Sequence, residues 1–162
     1  MRWLRHLGTP TAAAPPGSSR AQGHLPAAQR PGRARDYDGP VELAYSPRHD
    51  GEPDPGEVVW TWVPFEEDAG EGKDRPVVVV GSASQAAPDD LAVLMLSSRA
   101  HPGDPRWLVL GTGGWDPEGR VSSVRLDRVL AVARDAVRRE GATLERGRFD
   151  RVGAALTAFH GW

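Results

Sequence analysis

GEVVWTWVPFEEDAGEGKDRPVVVVGSASQAAPDDLAVLMLSS, Gly56 to Ser98, decides the fold of this chain. Val58, Trp60 and Trp62 alternate with Glu57, Val59 and Thr61, which predicts a strand with one heavily packed face. Pro64 ends that run, and Phe65–Asp74, with Gly70 and Gly72, is too polar for a core. Pro76 then opens Val77–Val80; a proline is tolerated at the first residue of a strand, where its missing N–H costs little. Gly81–Asp90 reads as a second loop and Leu91–Leu96 as a third strand, ending on Ser97-Ser98.

Downstream, Trp107–Leu110 predicts a fourth strand, and GTGGWDPEGR (Gly111–Arg120) is a loop by its turn signals. Val121–Leu126 and Arg128–Val132 read as two more strands joined at Asp127, although Leu126, Val129, Leu130, Ala133 and Val137 also fit a helical stripe. Phe149, Val152, Leu156 and Phe159 recur at helical spacing and predict one buried face of a terminal helix, stopped by Gly161. Short strands separated by turns, with one terminal helix, indicate a small β-barrel with a helical cap in residues 55–162.

Residues 1–54 differ in kind. They are rich in Pro, Gly, Ala, Ser and Arg and lack either periodicity, which predicts a disordered tail. The net charge of −2 conceals an asymmetry: residues 1–35 hold six arginines and no acid, so the remainder is acidic and any nucleic-acid contact there must be local. The tail is either a mis-assigned translation start or a basic arm touching nucleic acid weakly.

Several chemistries are excluded by residue type. The chain has no cysteine, which removes disulfides, thiolate metal sites and cysteine nucleophiles. No apolar run reaches the roughly 18 residues of a membrane span, and MRWLRHLG lacks the apolar stretch of a secretory signal, so the expected location is cytoplasmic. Of five histidines only His101 and His160 fall in the folded part, and no metal-ligand spacing is present, so neither a metal nor a cofactor is expected.

What remains is a guanidinium and hydroxyls at strand ends. Arg75 stands just before a buried strand, where a permanently charged fork can hold a phosphate bidentately. Taken alone it equally suits a rim salt bridge to Asp74, Glu71 or Glu67, and Ser97 and Ser98 equally suit loop caps. Antiparallel pairing of the two runs would bring Arg75 and Ser97 together. His101 suits either a general acid near neutral pH or an exposed loop residue. Trp60 and Trp62 read as core, whereas Trp115, in a glycine-rich loop, is the better candidate for stacking on a splayed base.

GEVVWTWVPF, GKDRPVVVVG, LAVLMLSS, SSVRLDRVLAV and GATLERGRFDRVGAAL, in that order, resemble the PemK/MazF family of type II toxin–antitoxin toxins over about two thirds of the chain. The resemblance implies a compact SH3-like barrel, a homodimer, and metal-independent cleavage of single-stranded RNA. By position Arg75 corresponds to the family's catalytic arginine and Ser97 to its catalytic threonine, with Ser98 next if the register slips. A helpful glutamate found in some members falls at Gly70, one position from Glu71. Implied partners are single-stranded RNA, a cognate antitoxin and, through it, operator DNA. The alternative is a barrel without catalysis that contacts an antitoxin and operator DNA; a peptide-binding SH3-like domain ranks last.

Overall fold

The computed structural model describes residues 33–48 and 50–162; most of the expected tail lies outside them. The elements run β1 (Arg35–Asp36), β2 (Glu42–Leu43), β3 (Glu57–Pro64), β4 (Gly72–Ser82), β5 (Leu91–Ser97), β6 (Trp107–Gly111) and β7 (Ser122–Val132). A 3-10 turn (Arg134–Ala136), β8 (Arg138–Thr143) and α1 (Arg146–His160) follow. All strand pairs are antiparallel. The eight-stranded sheet has the order β1-β7-β5-β4-β3-β8, with β2 beside β4 and β6 beside β7. This is the mainly β fold with a C-terminal helix that the sequence predicts.

β4 and β5 read as continuous apolar runs because both faces of the sheet are buried. Val78, Val80, Leu94 and Leu96 point into one core, which α1 seals with Phe149, Val152 and Leu156. Val77, Val79, Val93 and Met95 point the other way, into a second core with Val59, Val63, Leu130 and Val132. The expectation of a single packed face on β3 is therefore corrected. Val58 and Val59 serve opposite cores, and Trp60 and Trp62 are only half-buried. Trp62 lies beneath the guanidinium of Arg33, 4.2 Å from its ring centre.

The break expected at Asp127 is a bulge, not a turn. Leu94 pairs Val129 but Leu96 pairs Val124, so β7 carries extra residues between them and remains one strand. The helical stripe loses to this pairing. β8 escaped the sequence reading because an edge strand with one partner needs no apolar pattern. On α1, Gly153 takes a buried position where an added Cβ would stand 3.5 Å from Leu43, and Phe159 is 42% exposed rather than in the core. Gly161 adopts a left-handed backbone (φ 72°), and its N–H returns to the Thr157 carbonyl to stop the helix.

The boundary at 54 also moves. β1 pairs Arg35 with Ala131 and Asp36 with Leu130, while β2 lies across β4 at Ser82 and Gly81. Ala34 and Tyr37 are buried. A Cβ at Gly81 would stand 2.0 Å from the Glu42 carbonyl oxygen, so β2 can dock only over glycine. Tyr45 packs on Phe149 with ring centres 5.0 Å apart, and its hydroxyl donates to the Leu144 carbonyl at 2.8 Å. Residues scattered singly among prolines and glycines carry these contacts, which is why no periodicity betrayed them.

Candidate active site

Arg75 stands on β4 opposite Thr61 of β3. On its other side β4 pairs with β5, Val77 facing Met95. Extending that register sets Arg75 opposite Ser97, and side chains of directly opposed residues share a face. Both line one open cleft of about 750 Å³, together with Trp60, Glu67, His101 and Trp107.

The Arg75 guanidinium has no carboxylate partner among the described residues. Of the acceptors expected for it, Glu71 lies outside the cleft and Glu67 lines the cleft without forming an ion pair. Asp74 holds Arg138 at 2.7 Å, and Glu66 holds Arg125. Burial, then the charges of Arg128, Arg99 and Arg125, push the Arg75 guanidinium below its ordinary pKa. A half-buried cation facing other cations is an unfavourable arrangement that a bound anion would relieve. Arg125 is the opposite case: the hydrogen bonds it donates to Asp127, then to Glu66, outweigh its desolvation and raise its pKa.

Ser97 Oγ accepts from the Arg99 backbone N–H at 3.1 Å and lies 3.3 Å from His101 Nε2. His101 is no free loop residue. Its ring is stacked on the Trp107 indole, with centres 3.8 Å apart and planes 2° from parallel. The loop between β5 and β6 thereby folds back over the end of β5. Ser98 is exposed and also touches the cleft.

Two expected participants take other roles. Glu71 does not line the cleft; its carbonyl accepts the Phe65 N–H and closes the β3–β4 loop. Glu67 of the same loop reaches the cleft instead, and it has no ion-pair partner among the described residues. Trp115 is 4% exposed and donates from its indole nitrogen to Ser122 Oγ at 2.9 Å, so it is a core side chain with no free face for a base. Glycine around it misled the sequence reading, because the loop wraps its own tryptophan into the barrel. The sequence reading also missed the arginines around Arg75. Arg99 directly follows the serine pair, but Arg125 and Arg128 converge only through the β7 bulge. Among the described residues no three or more His, Asp or Glu are grouped to hold a metal ion, and no helix is long and apolar enough to cross a membrane.

Residues 54–160 match the family model of the PemK-like, MazF-like toxin of type II toxin–antitoxin systems. The chain belongs to that family. Its upstream strands, β1 and β2, lie outside the matched span. No curated protein matches the sequence. Among solved structures, MazF of Deinococcus radiodurans is similar at 24% identity and a TM-score of 0.49, over 70% of this chain and 100% of that one. The MazE–MazF complex of the same organism is similar at 21% identity and a TM-score of 0.47, again over 70% and 100%. An endoribonuclease in complex with its cognate antitoxin, from a mycobacterial species, is similar at 19% identity and 0.47, over 66% of this chain and 93% of that one.

Proposed function

We propose that this toxin-family protein is a metal-independent endoribonuclease that cuts single-stranded RNA at the cleft between β4 and β5. The observation that carries the reading is Arg75, without a carboxylate partner among the described residues and lining one cleft with Ser97. RNA brings its own nucleophile, the 2′-hydroxyl beside the phosphate, so the entropy of bringing reactants together is largely met in the substrate. The protein must then hold the phosphate, stabilise charge on the phosphorane and move two protons.

Arg75 supplies the electrostatic part, aimed at the non-bridging oxygens. Ser97 hydrogen-bonds the same phosphate. Glu67, a carboxylate of the cleft lining without an ion-pair partner among the described residues, takes the 2′ proton. The products are a 2′,3′-cyclic phosphate and a 5′-hydroxyl. The relatives solved as MazE–MazF and as an endoribonuclease with its cognate antitoxin support an antitoxin partner for this chain. We place the mature toxin in the cytoplasm as a homodimer that reaches operator DNA through that partner.

The test is to incubate purified protein with a mixed RNA pool in the presence of chelator and to map the cut ends. Cyclic-phosphate ends produced by the wild type, and lost in both Arg75→Ala and Ser97→Ala, are the expected result. Intact RNA with the wild type, or cutting that both variants retain, removes the nuclease reading.

A further inference from the structure

The reaction just described needs a proton for the departing 5′-oxygen, and we infer that His101 supplies it, as the general acid of the cleft. This inference rests on the nuclease reading. Among the kinds of group that line the cleft, a carboxylate ordinarily accepts a proton at neutral pH rather than carrying one. The Lys73 ammonium, also in the lining, has no hydrogen bond to Ser97 such as His101 has, and guanidinium groups carry protons they do not release. Imidazole does both near neutrality, and His101 is the one imidazole among the described cleft residues.

Its geometry is built rather than incidental. The parallel stack on Trp107 fixes the plane of the ring, and Trp107 is itself held as the first residue of β6, paired with Arg125 of β7. Ser97 Oγ, 3.3 Å from Nε2, fixes which edge of the ring faces the cleft. The nitrogen nearest the Arg75–Ser97 pair is therefore the one that must deliver the proton. Two anchors on one loop histidine, a stack and a hydroxyl, are what a proton donor needs to stay within reach of a leaving atom.

The step balances without a co-reactant. The 2′-oxygen forms a bond to phosphorus while its proton passes to the Glu67 carboxylate. The bond from phosphorus to the 5′-oxygen breaks, and its electron pair takes the proton from His101 Nε2. Proton exchange with solvent then resets both groups.

A sulfur substrate separates this role from a structural one. An RNA with a single mapped cut site is synthesised twice, once normal and once with sulfur replacing the bridging 5′-oxygen at that site. A thiolate leaves without protonation, so the general acid becomes dispensable. His101→Gln is expected to slow cleavage of the oxygen substrate by about 100- to 10,000-fold yet cleave the sulfur substrate within about tenfold of wild type. Arg75→Ala should be slow on both. Trp107→Leu, which removes the stack and leaves the imidazole, should show a smaller loss, also restored by sulfur. The inference is overturned if His101→Gln is equally impaired on both substrates while keeping its thermal transition, or unimpaired on the oxygen substrate. Should His101→Gln fail to fold, Trp107→Leu with no sulfur rescue overturns it alone. A wild type that cuts neither RNA defeats the nuclease reading itself, an outcome visible before any variant is made.

Discussion

Arg75 and Arg128 lie close enough to repel each other, yet their surroundings are opposite. Arg128, on β7, is buried and satisfied: Nε donates to Asp36 at 2.7 Å and Nη1 to the Pro64 carbonyl at 2.9 Å. Arg75, across the sheet, has cations around it and no carboxylate. One arginine closes the fold and the other is held open at the cleft. Desolvating a charge is unfavourable unless it is paired, and here the compensation lies where the upstream segment meets the sheet and is missing at the cleft. The partner of Arg128 comes from β1, outside the family-matched span. The segment before residue 54 therefore belongs to the same electrostatic arrangement as the cleft.

The largest effect that can break this contrast is removal of the upstream segment. Deleting residues 1–53 takes away β1, β2 and the packing of Tyr37 and Tyr45, and it frees Arg128. One buried and one half-buried aromatic side chain together contribute about 2–5 kcal/mol, a large share of the roughly 5–15 kcal/mol of a typical domain. The truncated chain is expected to unfold at much lower denaturant concentration. A midpoint equal to the full chain's would make β1 and β2 ornaments on an independent barrel.

Next is Arg75→Ala. Losing one donor to a developing phosphorane costs about 2.7–4 kcal/mol of barrier, roughly 100- to 1,000-fold in rate. Stability should stay within about 0.5 kcal/mol of wild type or rise, because the variant removes a desolvated cation from among cations. A side chain that loses activity while gaining stability is working against the fold. A drop in melting temperature as large as the drop in rate would mean that Arg75 is structural after all.

The asymmetry also explains what could be read in advance. Strands β3 to β7 and α1 were legible because burial imposes a period, and Arg75 and Ser97 were legible because they end such runs. Arg99, Arg125 and Arg128 were not. They are brought together by strand register and by the bulge in β7, neither of which leaves a mark in a local pattern. Trp115 and Glu71 were misjudged for the same reason in reverse: a glycine-rich or acidic loop does not disclose which of its side chains turns inward. The pairing of His101 with Trp107 depends on how a proline- and glycine-rich loop folds back, and composition is silent on that.

A smaller effect sharpens the other arm. Asp36→Ala leaves the buried Arg128 with the Pro64 carbonyl alone. Because the Asp36 side chain is 64% exposed, solvent screens part of the pair, and the expected loss is about 1–2 kcal/mol. Denaturant midpoints measure it. Cleavage per folded molecule should change far less than in Arg75→Ala. If Asp36→Ala instead matched Arg75→Ala in rate with stability intact, β1 would be acting on the cleft through Arg128.

The smallest effect concerns Arg99, which is exposed and has no carboxylate partner among the described residues, yet adds to the field at Arg75. If it meets a flanking phosphate, it displaces about one condensed counterion, and the logarithm of affinity should depend less steeply on salt once it is gone. For single strands each contact contributes about 0.7 to that slope. Binding of an RNA with a 2′-deoxy residue at the scissile position, which cannot react, isolates this term from catalysis. Arg99→Ala is expected to flatten the slope by about 0.7 while Asp36→Ala leaves it unchanged, since Arg128 is buried away from any bound strand. Equal slopes for wild type and Arg99→Ala would confine phosphate contact to Arg75. A steepened slope in Asp36→Ala would mean that Arg128, once freed, also meets the RNA, and the division between the two regions would no longer hold.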